Sequence, residues 1–216
     1  MIEALDDTLA WLFRVRSEPG SLLQQAAISF EMPDTEWRSR INRLTLCCYL
    51  YDVRENKSLR TNDPLVARGP DGRFLTQPPP PRIDCTYCIT AWNPRGDTSA
   101  INSGDAVRFE HRLLSQALAL LLRHPQVERN TLADPDGGAR RAPPHPTRIS
   151  SVDEQRGMSE FWTALGQQPK PSLNFVLTMA IPVQEATASS PRVQHVELRG
   201  EIQDPHPHPR SPEEPA

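Results

Sequence analysis

The sequence lacks the features that mark several large classes of protein. Its 24 lysines and arginines nearly balance 27 aspartates and glutamates, and neither sign is concentrated, so we expect no nucleic-acid partner. The most apolar window, Leu113 to Leu122, contains Ser115 and Gln116 and falls short of the roughly 18 apolar residues that span a bilayer. The chain starts in an amphipathic segment and not in a signal peptide. We therefore expect a cytoplasmic protein without a membrane partner.

The usual signatures of catalysis are missing as well. No glycine-rich phosphate loop of either standard form is present, and Asp136-Gly137-Gly138 neither follows a predicted strand nor precedes a predicted helix. Glu110-His111-Arg112 resembles acid–base machinery, but no second histidine follows at four residues and no serine motif accompanies it. We predict that the protein is not an enzyme and uses no cofactor.

The four cysteines fall into two sequence pairs, Cys47-Cys48 and Cys85-x-x-Cys88. Both pairs lie in predicted strands, where an odd separation turns two side chains to opposite faces, whereas a zinc knuckle needs a tight turn between its ligands. A cytoplasmic location also disfavours disulfides. We predict four small core residues with no metal or redox role.

The strongest strand signal runs from Arg82 to Trp92. It is rich in β-branched and aromatic residues, follows the prolines 78–81 and ends at Asn93-Pro94. Its period of two predicts a core face made of Ile83, Cys85, Tyr87, Ile89 and Ala91. The run from Leu44 to Val53 has the same character, with Leu44, Leu46, Cys48 and Leu50 on one side and Thr45, Cys47, Tyr49, Tyr51 and Val53 on the other. We expect both strands to share one sheet.

The other predicted elements follow from apolar periodicity and from turn residues. They are an amphipathic helix over 1–16, a strand over 26–32, a hairpin over 66–75, a long apolar helix over 105–124, a short helix over 158–165 closed by Gly166, a strand over 172–183 and a weak strand over 193–199. Trp37 is expected in a connecting turn. The fold class predicted is α+β, with a mixed or antiparallel sheet covered by the long helix and the N-terminal helix.

Proline is the compositional outlier, with 23 residues concentrated in linkers and near the C-terminus. Residues 131–147 contain Gly137-Gly138 and Pro143-Pro144-His145-Pro146, which predict an irregular excursion. We therefore divide the chain into an α+β domain over 1–183, an arm over 184–203 with a possible strand, and a disordered tail over 204–216.

A series of short strings, taken in order, resembles a known family. The strings are Ile28-Ser29-Phe30-Glu31-Met32-Pro33, Tyr49-Leu50-Tyr51-Asp52-Val53-Arg54-Glu55-Asn56, Arg82-Ile83-Asp84 with Tyr87 and Thr90-Ala91-Trp92, and Glu110-His111-Arg112-Leu113-Leu114 with His124-Pro125. Together they are similar to the tail-terminator, or cap, family of extracellular contractile injection systems, which are phage-tail-like particles. The resemblance covers roughly residues 1 to 183, and nothing is carried over for 131–147.

The resemblance implies a structural subunit of a homo-oligomeric ring, a hexamer, that ends and joins the inner tube and the sheath at the distal end of the particle. Its partners would be further copies of itself, sheath subunits and inner-tube subunits. Aromatic residues and arginine concentrate interface energy. The candidate interface residues are Tyr49, Tyr51 and Arg54 on the outward side of one strand, Trp92 at the end of its partner strand, and Glu110, His111 and Arg112 at the start of the long helix.

Two alternatives stay open from the sequence. A tail-completion protein of a contractile-tailed phage would need similar ring geometry and similar interfaces. A small thiol- or metal-dependent enzyme would need the cysteine thiols to converge on one face, which the strand parity opposes.

Overall fold

The structure, a computed structural model, describes residues 2–68, 74–94, 103–127, 145–149, 158–181 and 187–190. The chain divides into two compact units, of which the larger comprises Met1–Asp63 and Pro79–Gln184 and the smaller Pro64–Pro78 and Glu185–Ala216. The helices of the larger unit are α1 (Glu3–Val15), α2 (Leu22–Gln25), α3 (Thr35–Arg40), α4 (Ser103–Arg123) and α5 (Met158–Ala164). Its strands are β1 (Ala27–Ser29), β2 (Thr45–Glu55), β5 (Arg82–Trp92), β6 (Gln126–Val127), β7 (His145–Ile149) and β8 (Ser172–Ala180).

The strands of the larger unit form one sheet in the order β1-β2-β5-β8-β7-β6. Strand β1 runs parallel to β2, and the other pairings are antiparallel. Strand β5 has the predicted bounds and lies beside β2, as expected. The α+β class with a mixed sheet is thus confirmed.

One face of this sheet carries the main hydrophobic core. The predicted face of β5 is buried there with Leu46 and Cys48 of β2 and Phe175 and Leu177 of β8. Helices α1 and α4 cover it with apolar side chains spaced at three or four residues: Leu5, Leu9, Leu12 and Phe13 from α1, and Leu113, Ala117, Leu120 and Leu121 from α4. Both predicted covering helices therefore lie over this core.

The opposite face of the sheet is covered too, which the sequence pattern did not predict. Trp37, Cys47, Cys88, Trp92 and Trp162 form a second buried cluster. Trp37 was expected in a turn, and that prediction is wrong, because Trp37 lies in α3. The side chain of Asp34 caps this helix by accepting a hydrogen bond from the Trp37 backbone N–H at 2.7 Å, so that six residues suffice for a helical turn over the sheet.

A β-bulge at Tyr51 changes the alternation along β2. Leu50 is opposite Tyr87 and Asp52 is opposite Thr86, so Tyr51 is the extra residue. Val53 consequently lies opposite Cys85, on the face of the main core, and not with Tyr49 and Tyr51 as strict alternation predicted. An inserted residue reverses the parity of every side chain after it.

Strand β7 corrects the prediction of an irregular segment up to Thr147. His145, Pro146 and Thr147 lie in this strand, which pairs with β8 from Thr147 onward and with the two-residue β6 at His145 and Pro146. Proline lacks an N–H for the ladder, and here it occupies the end of β7 before the pairing with β8 begins. The rest of the predicted irregular segment, 131–144, lies outside the described residues.

The smaller unit is a three-stranded sheet in the order β3-β4-β9, formed by Leu65–Arg68, Phe74–Gln77 and Thr187–Ser190. Strands β3 and β4 pair antiparallel, with Arg68 opposite Phe74, and this confirms the predicted hairpin. Strand β9 adds to β4. The weak strand predicted over 193–199 and the tail after Asp204 lie outside the described residues.

The remaining predicted elements match the structure within a few residues. Strand β1 is shorter than its prediction and β8 ends at Ala180 before Pro182. Helix α5 ends at Ala164, two residues before Gly166, whose φ is 66°. No helix in the described ranges combines the length and the apolar character that a bilayer crossing requires.

Candidate assembly interface

The C-terminal half of β2 forms an edge of the larger sheet. Strand β1 pairs only with Thr45, Leu46 and Cys47, and from Asp52 to Glu55 no strand in the described part of the chain pairs with β2 on the side away from β5. Val53 is 47% exposed, and Arg54 and Glu55 are exposed as well. We call Asp52–Glu55 the β2 edge; its backbone has the geometry to accept a further strand.

An aromatic surface lies on one face of the sheet next to this edge. Tyr49 and Tyr51 are half-buried against Phe161 of α5, with ring centroids 6.1 and 5.5 Å from the Phe161 ring. Arg54 is opposite Asp84 and therefore shares this face. The bulge is the reason, since strict alternation would have separated Arg54 from both tyrosines. Three of the predicted interface residues are thus brought together.

Hydrogen bonds fix the end of β2 in position. Asn56, the first residue after the strand, donates through Nδ2 to both carboxylate oxygens of Asp84, at 3.1 and 3.0 Å. Thr178 Oγ1 and Arg148 Nη2 reach the same buried carboxylate at 2.6 and 3.3 Å. Asp84 lies on β5 and Thr178 on β8, so these hydrogen bonds connect the end of β2 to the interior strands of the sheet.

Trp92 does not lie on the surface. It is 4% exposed, and the Trp37 and Trp162 rings lie 5.7 and 6.4 Å from its own. Two cations contact the indole: the Arg38 guanidinium carbon lies 5.1 Å and the Lys170 ammonium 4.2 Å from the ring centroid. The Trp92 side chain is therefore packed inside the protein at the C-terminal end of β5.

Glu110 also points inward. Its carboxylate is 2.6 Å from Lys170 Nζ and accepts a hydrogen bond from the Asn93 backbone N–H at 2.9 Å. Lys170 further donates to the Ala91 carbonyl at 2.7 Å, and Asn93 Nδ2 donates to the Ala106 carbonyl at 2.7 Å. Burial lowers the pKa of Lys170, and the hydrogen bond that its ammonium group donates to Glu110 opposes that shift. These contacts tie the start of α4 to the end of β5.

His111 and Arg112 are the candidates on α4 that face solvent. The Arg112 guanidinium lies 5.6 Å from the centroid of the Phe109 ring, one turn back along the helix. These two residues are on the helix that covers the main core, whereas Tyr49, Tyr51 and Arg54 are on the opposite face of the sheet. The seven predicted residues therefore fall into three groups: one surface with Tyr49, Tyr51 and Arg54, a second surface with His111 and Arg112, and the buried Trp92 with the largely buried Glu110.

The cysteines face as the strand parity predicted. Cys48 and Cys85 belong to the main core, and Cys47 and Cys88 belong to the second cluster. All four are buried free thiols. Burial is the first cause that raises the pKa of Cys47 and of Cys88 to about 12 and that of Cys85 to about 11, and it raises the pKa of Cys48 as well. At neutral pH the thiols are protonated, a state that neither attacks substrates nor binds metals well.

Comparisons with known proteins show which family model and which solved structures this chain is similar to. The model of the Pvc16 N-terminal domain family matches residues 3–195. A sheath/tube terminator of an extracellular contractile injection system, in its extended state, is 21% identical with a TM-score of 0.58, and the match covers 95% of this chain and 65% of that one. The tube-terminating cap of the anti-feeding prophage is 23% identical with a TM-score of 0.56, and the match covers 90% of this chain and 60% of that one.

A search of curated protein sequences gives no match. At these identities the two solved structures establish a shared fold. This chain spans less than two thirds of the length of either of them.

Proposed function

The chain belongs to the Pvc16 N-terminal domain family, and from this premise we propose that it is a structural terminator subunit of a contractile injection system. In this role it ends and joins the inner tube and the sheath at the distal end of the particle. The observation that carries the proposal is the family match over residues 3–195. The fold shared with a sheath/tube terminator and with a tube-terminating cap supports it.

A terminator must present the surface that binds the end of the polymer and must lack the surface that would bind a further subunit. A helical polymer grows by repeating one heterologous contact, and growth stops at a subunit that presents the matching surface without its continuation. We propose that six copies form a ring that meets sheath and tube subunits, assembled into the particle from protein made in the cytoplasm. Interface energy concentrates on aromatic residues and arginine, which favours the surface of Tyr49, Tyr51 and Arg54 for one of these contacts.

The β2 edge suggests how such a contact is made. Asp52–Glu55 extends beyond the pairing with β1 and is held by the Asn56–Asp84 hydrogen bonds, so an arm of a neighbouring subunit would meet an ordered template. Main-chain hydrogen bonds to such an edge supply affinity, and the adjacent side chains supply specificity. We propose strand addition at this edge as the docking mode.

The protonation state and the burial of the thiols give little support to the alternative of a thiol- or metal-dependent enzyme. Cys47 and Cys88 share one face, but the pKa of each is raised to about 12 and both are buried. A phage tail-completion role would use similar surfaces. Neighbouring genes for a capsid and a portal would favour that role, whereas genes for sheath, tube and an ATPase without a capsid would favour the injection system.

Electron microscopy of particles from a deletion strain tests the function. We expect overlong, uncapped or sheathless tubes, because nothing stops polymerisation or joins the two polymers at the distal end. Uniform particles with an intact distal cap would refute the proposal.

Complementation then separates the role of the protein from the role of the surface. The variant Tyr49→Ala/Arg54→Ala should fail to restore capped particles, whereas Arg43→Ala, an exposed arginine outside this surface, should restore them. If both variants restore capped particles, the protein is still the terminator but docks through another surface.

A further inference from the structure

A groove of about 210 Å³ lies on the covered side of the main sheet, between α4 and the connection from α1 to α2. The buried side chains of Leu23 and Leu120 contribute an apolar floor. Arg112 and Arg123 line it from α4, and Glu18 lines it from the connection. The groove is separate from the aromatic surface of Tyr49 and Tyr51, which lies on the other face of the sheet.

The wall of the groove follows one line along α4. Arg112, Gln116, Ala119 and Arg123 are spaced by four, three and four residues, which places them on the same side of the helix. The separation of eleven positions between Arg112 and Arg123 corresponds to about 16 Å of helix. The small side chain of Ala119 leaves space between the two arginines. Gln116 Oε1 accepts a hydrogen bond from the Leu23 backbone N–H at 3.0 Å, so the two walls are tied together.

The charges of the groove indicate the chemistry of an occupant. Arg123 Nη1 lies 3.5 Å from the carboxylate of Glu18, and both side chains are mainly exposed, so this ion pair is weak and exchangeable. Within the described residues no carboxylate lies at ion-pair distance from Arg112, which contacts the Phe109 ring. Arginine binds carboxylates through its planar fork of donors.

We propose that this groove docks an acidic segment of a partner protein, with one carboxylate at each arginine and an apolar side chain over the Leu23–Leu120 floor. In an extended segment about five residues span the 16 Å between the arginines. At Arg123 the partner carboxylate replaces Glu18. The groove shares only Arg112 with the predicted interface residues, and the proposal does not depend on the terminator role.

Two labelled peptides test this inference on the full chain. One is fluorescein-labelled Glu-Ser-Ala-Leu-Ser-Glu, and its matched control carries glutamine in place of both glutamates. We expect the acidic peptide to bind about tenfold more tightly by fluorescence anisotropy at low salt, and to lose most of this advantage at high salt. Amide shifts of Leu23, Gln116 and Ala119 in NMR spectra would locate the bound peptide in the groove.

Variants connect the effect to the arginines. Arg112→Gln/Arg123→Gln should remove the preference for the acidic peptide, while Arg108→Gln, an exposed arginine of α4 outside the groove, should leave it unchanged. Equal binding of the two peptides to the wild type would overturn the inference, and that comparison needs no variant to fold. If Arg108→Gln lost the preference for the acidic peptide equally, or if the amide shifts lay outside the groove, general charge attraction would explain the binding. Either result would also overturn the inference.

Discussion

Lys170 holds its ammonium group 2.6 Å from the Glu110 carboxylate, although the two residues are 60 positions apart in the sequence. Both side chains are largely buried, with 16% and 14% of their surface exposed. The contact joins the segment that leads into β8 to the first half of α4, beside the Trp92 ring. A buried ion pair of this kind costs most when one partner is removed, because the other charge is left without compensation.

Replacing Lys170 by methionine should therefore lower the free energy of unfolding by about 2–4 kcal/mol. Urea denaturation measures this change. The double variant Lys170→Met/Glu110→Gln should lose less than the sum of the two single variants, since it leaves no uncompensated charge. Arg40→Met is the control, because it removes an exposed ion pair with Glu31 and should cost less than about 1 kcal/mol. Additive losses in the double variant would contradict the coupling.

The Asp6 carboxylate accepts a hydrogen bond from the Tyr87 hydroxyl at 2.8 Å. Burial raises the pKa of Asp6 above its usual 3.8, against the lowering effect of the Tyr87 hydrogen bond. A raised pKa means that the folded protein binds the proton more tightly than the unfolded chain. This contribution to stability is present below pH 3.8 and is lost as the pH rises through the pKa of the folded state.

The variant Asp6→Asn should remove this pH dependence and keep an oxygen acceptor for Tyr87. Above the raised pKa we expect Asp6→Asn to be at least as stable as the wild type, and at low pH its advantage should shrink or reverse. Thermal unfolding from pH 3 to pH 7 measures the difference between the two proteins. Asp7→Asn, at the exposed neighbouring position, should change stability by less than about 0.5 kcal/mol at pH 7. A constant difference between Asp6→Asn and the wild type at every pH would contradict the assignment.

Cys47 and Cys85 provide a matched pair of buried thiols. The Cys47 thiol donates to the Glu31 carbonyl at 3.4 Å, whereas Cys85 Sγ has the sulfur of Met179 at 3.8 Å. Serine at position 85 would bury a hydroxyl next to a weak acceptor and should cost about 1–3 kcal/mol. Serine at position 47 keeps a carbonyl acceptor and should cost less. Denaturation of both variants gives the comparison, and a smaller loss for Cys85→Ser would contradict this account.

The thiols of the native protein should also resist alkylation at pH 8. The pKa of Cys85 is raised to about 11 and that of Cys47 to about 12, so the thiolate fraction is small. Mass spectrometry after iodoacetamide treatment, with and without denaturant, measures the reaction. Rapid labelling of native protein would mean that a thiol is accessible and activated, and stoichiometric zinc by elemental analysis would contradict a structural role.

Two C-terminal truncations test separately what the tail and strand β9 contribute to stability. Deleting 204–216 should leave the melting temperature nearly unchanged, because frequent prolines in this stretch disfavour regular structure. Deleting 186–216 also removes β9, which pairs with β4. An isolated two-stranded hairpin is marginally stable in water, so the amides of β3 and β4 should lose protection from hydrogen exchange. Retained protection in the longer deletion would mean that the hairpin has other support.

The central elements were predictable because their signals are local. Arg82–Trp92 was predicted with its observed bounds, since Pro81 and Asn93-Pro94 limit a β-branched and aromatic run. The covering helices were evident from apolar residues at three- and four-residue steps. Strand β7 was missed because a local pattern treats Pro146 as a strand breaker, whereas in the structure this proline lies opposite β6, before the pairing with β8 begins.

The candidate interface was less predictable, because it depends on contacts distant in sequence. The bulge at Tyr51 brings Arg54 to the face of Tyr49, and no local pattern indicates the inserted residue. Trp92 is buried by Arg38 and Lys170, which are 54 and 78 positions away. Alternating aromatic residues are as typical of a core as of an interface, so only tertiary packing distinguishes the two.

The tryptophans are distributed unevenly between the two faces of the sheet. Trp37, Trp92 and Trp162 lie in one cluster, whereas Trp11 packs against the other core. Because three of the four tryptophans lie in this cluster, with ring centroids 5.7 and 6.4 Å apart, we expect the intrinsic fluorescence mainly to follow the environment of α3, α5 and the end of β5. In a Trp11→Phe variant the emission spectrum would be an optical signal of that layer alone, and the loss of its helices could be followed separately from the melting of α1 and α4.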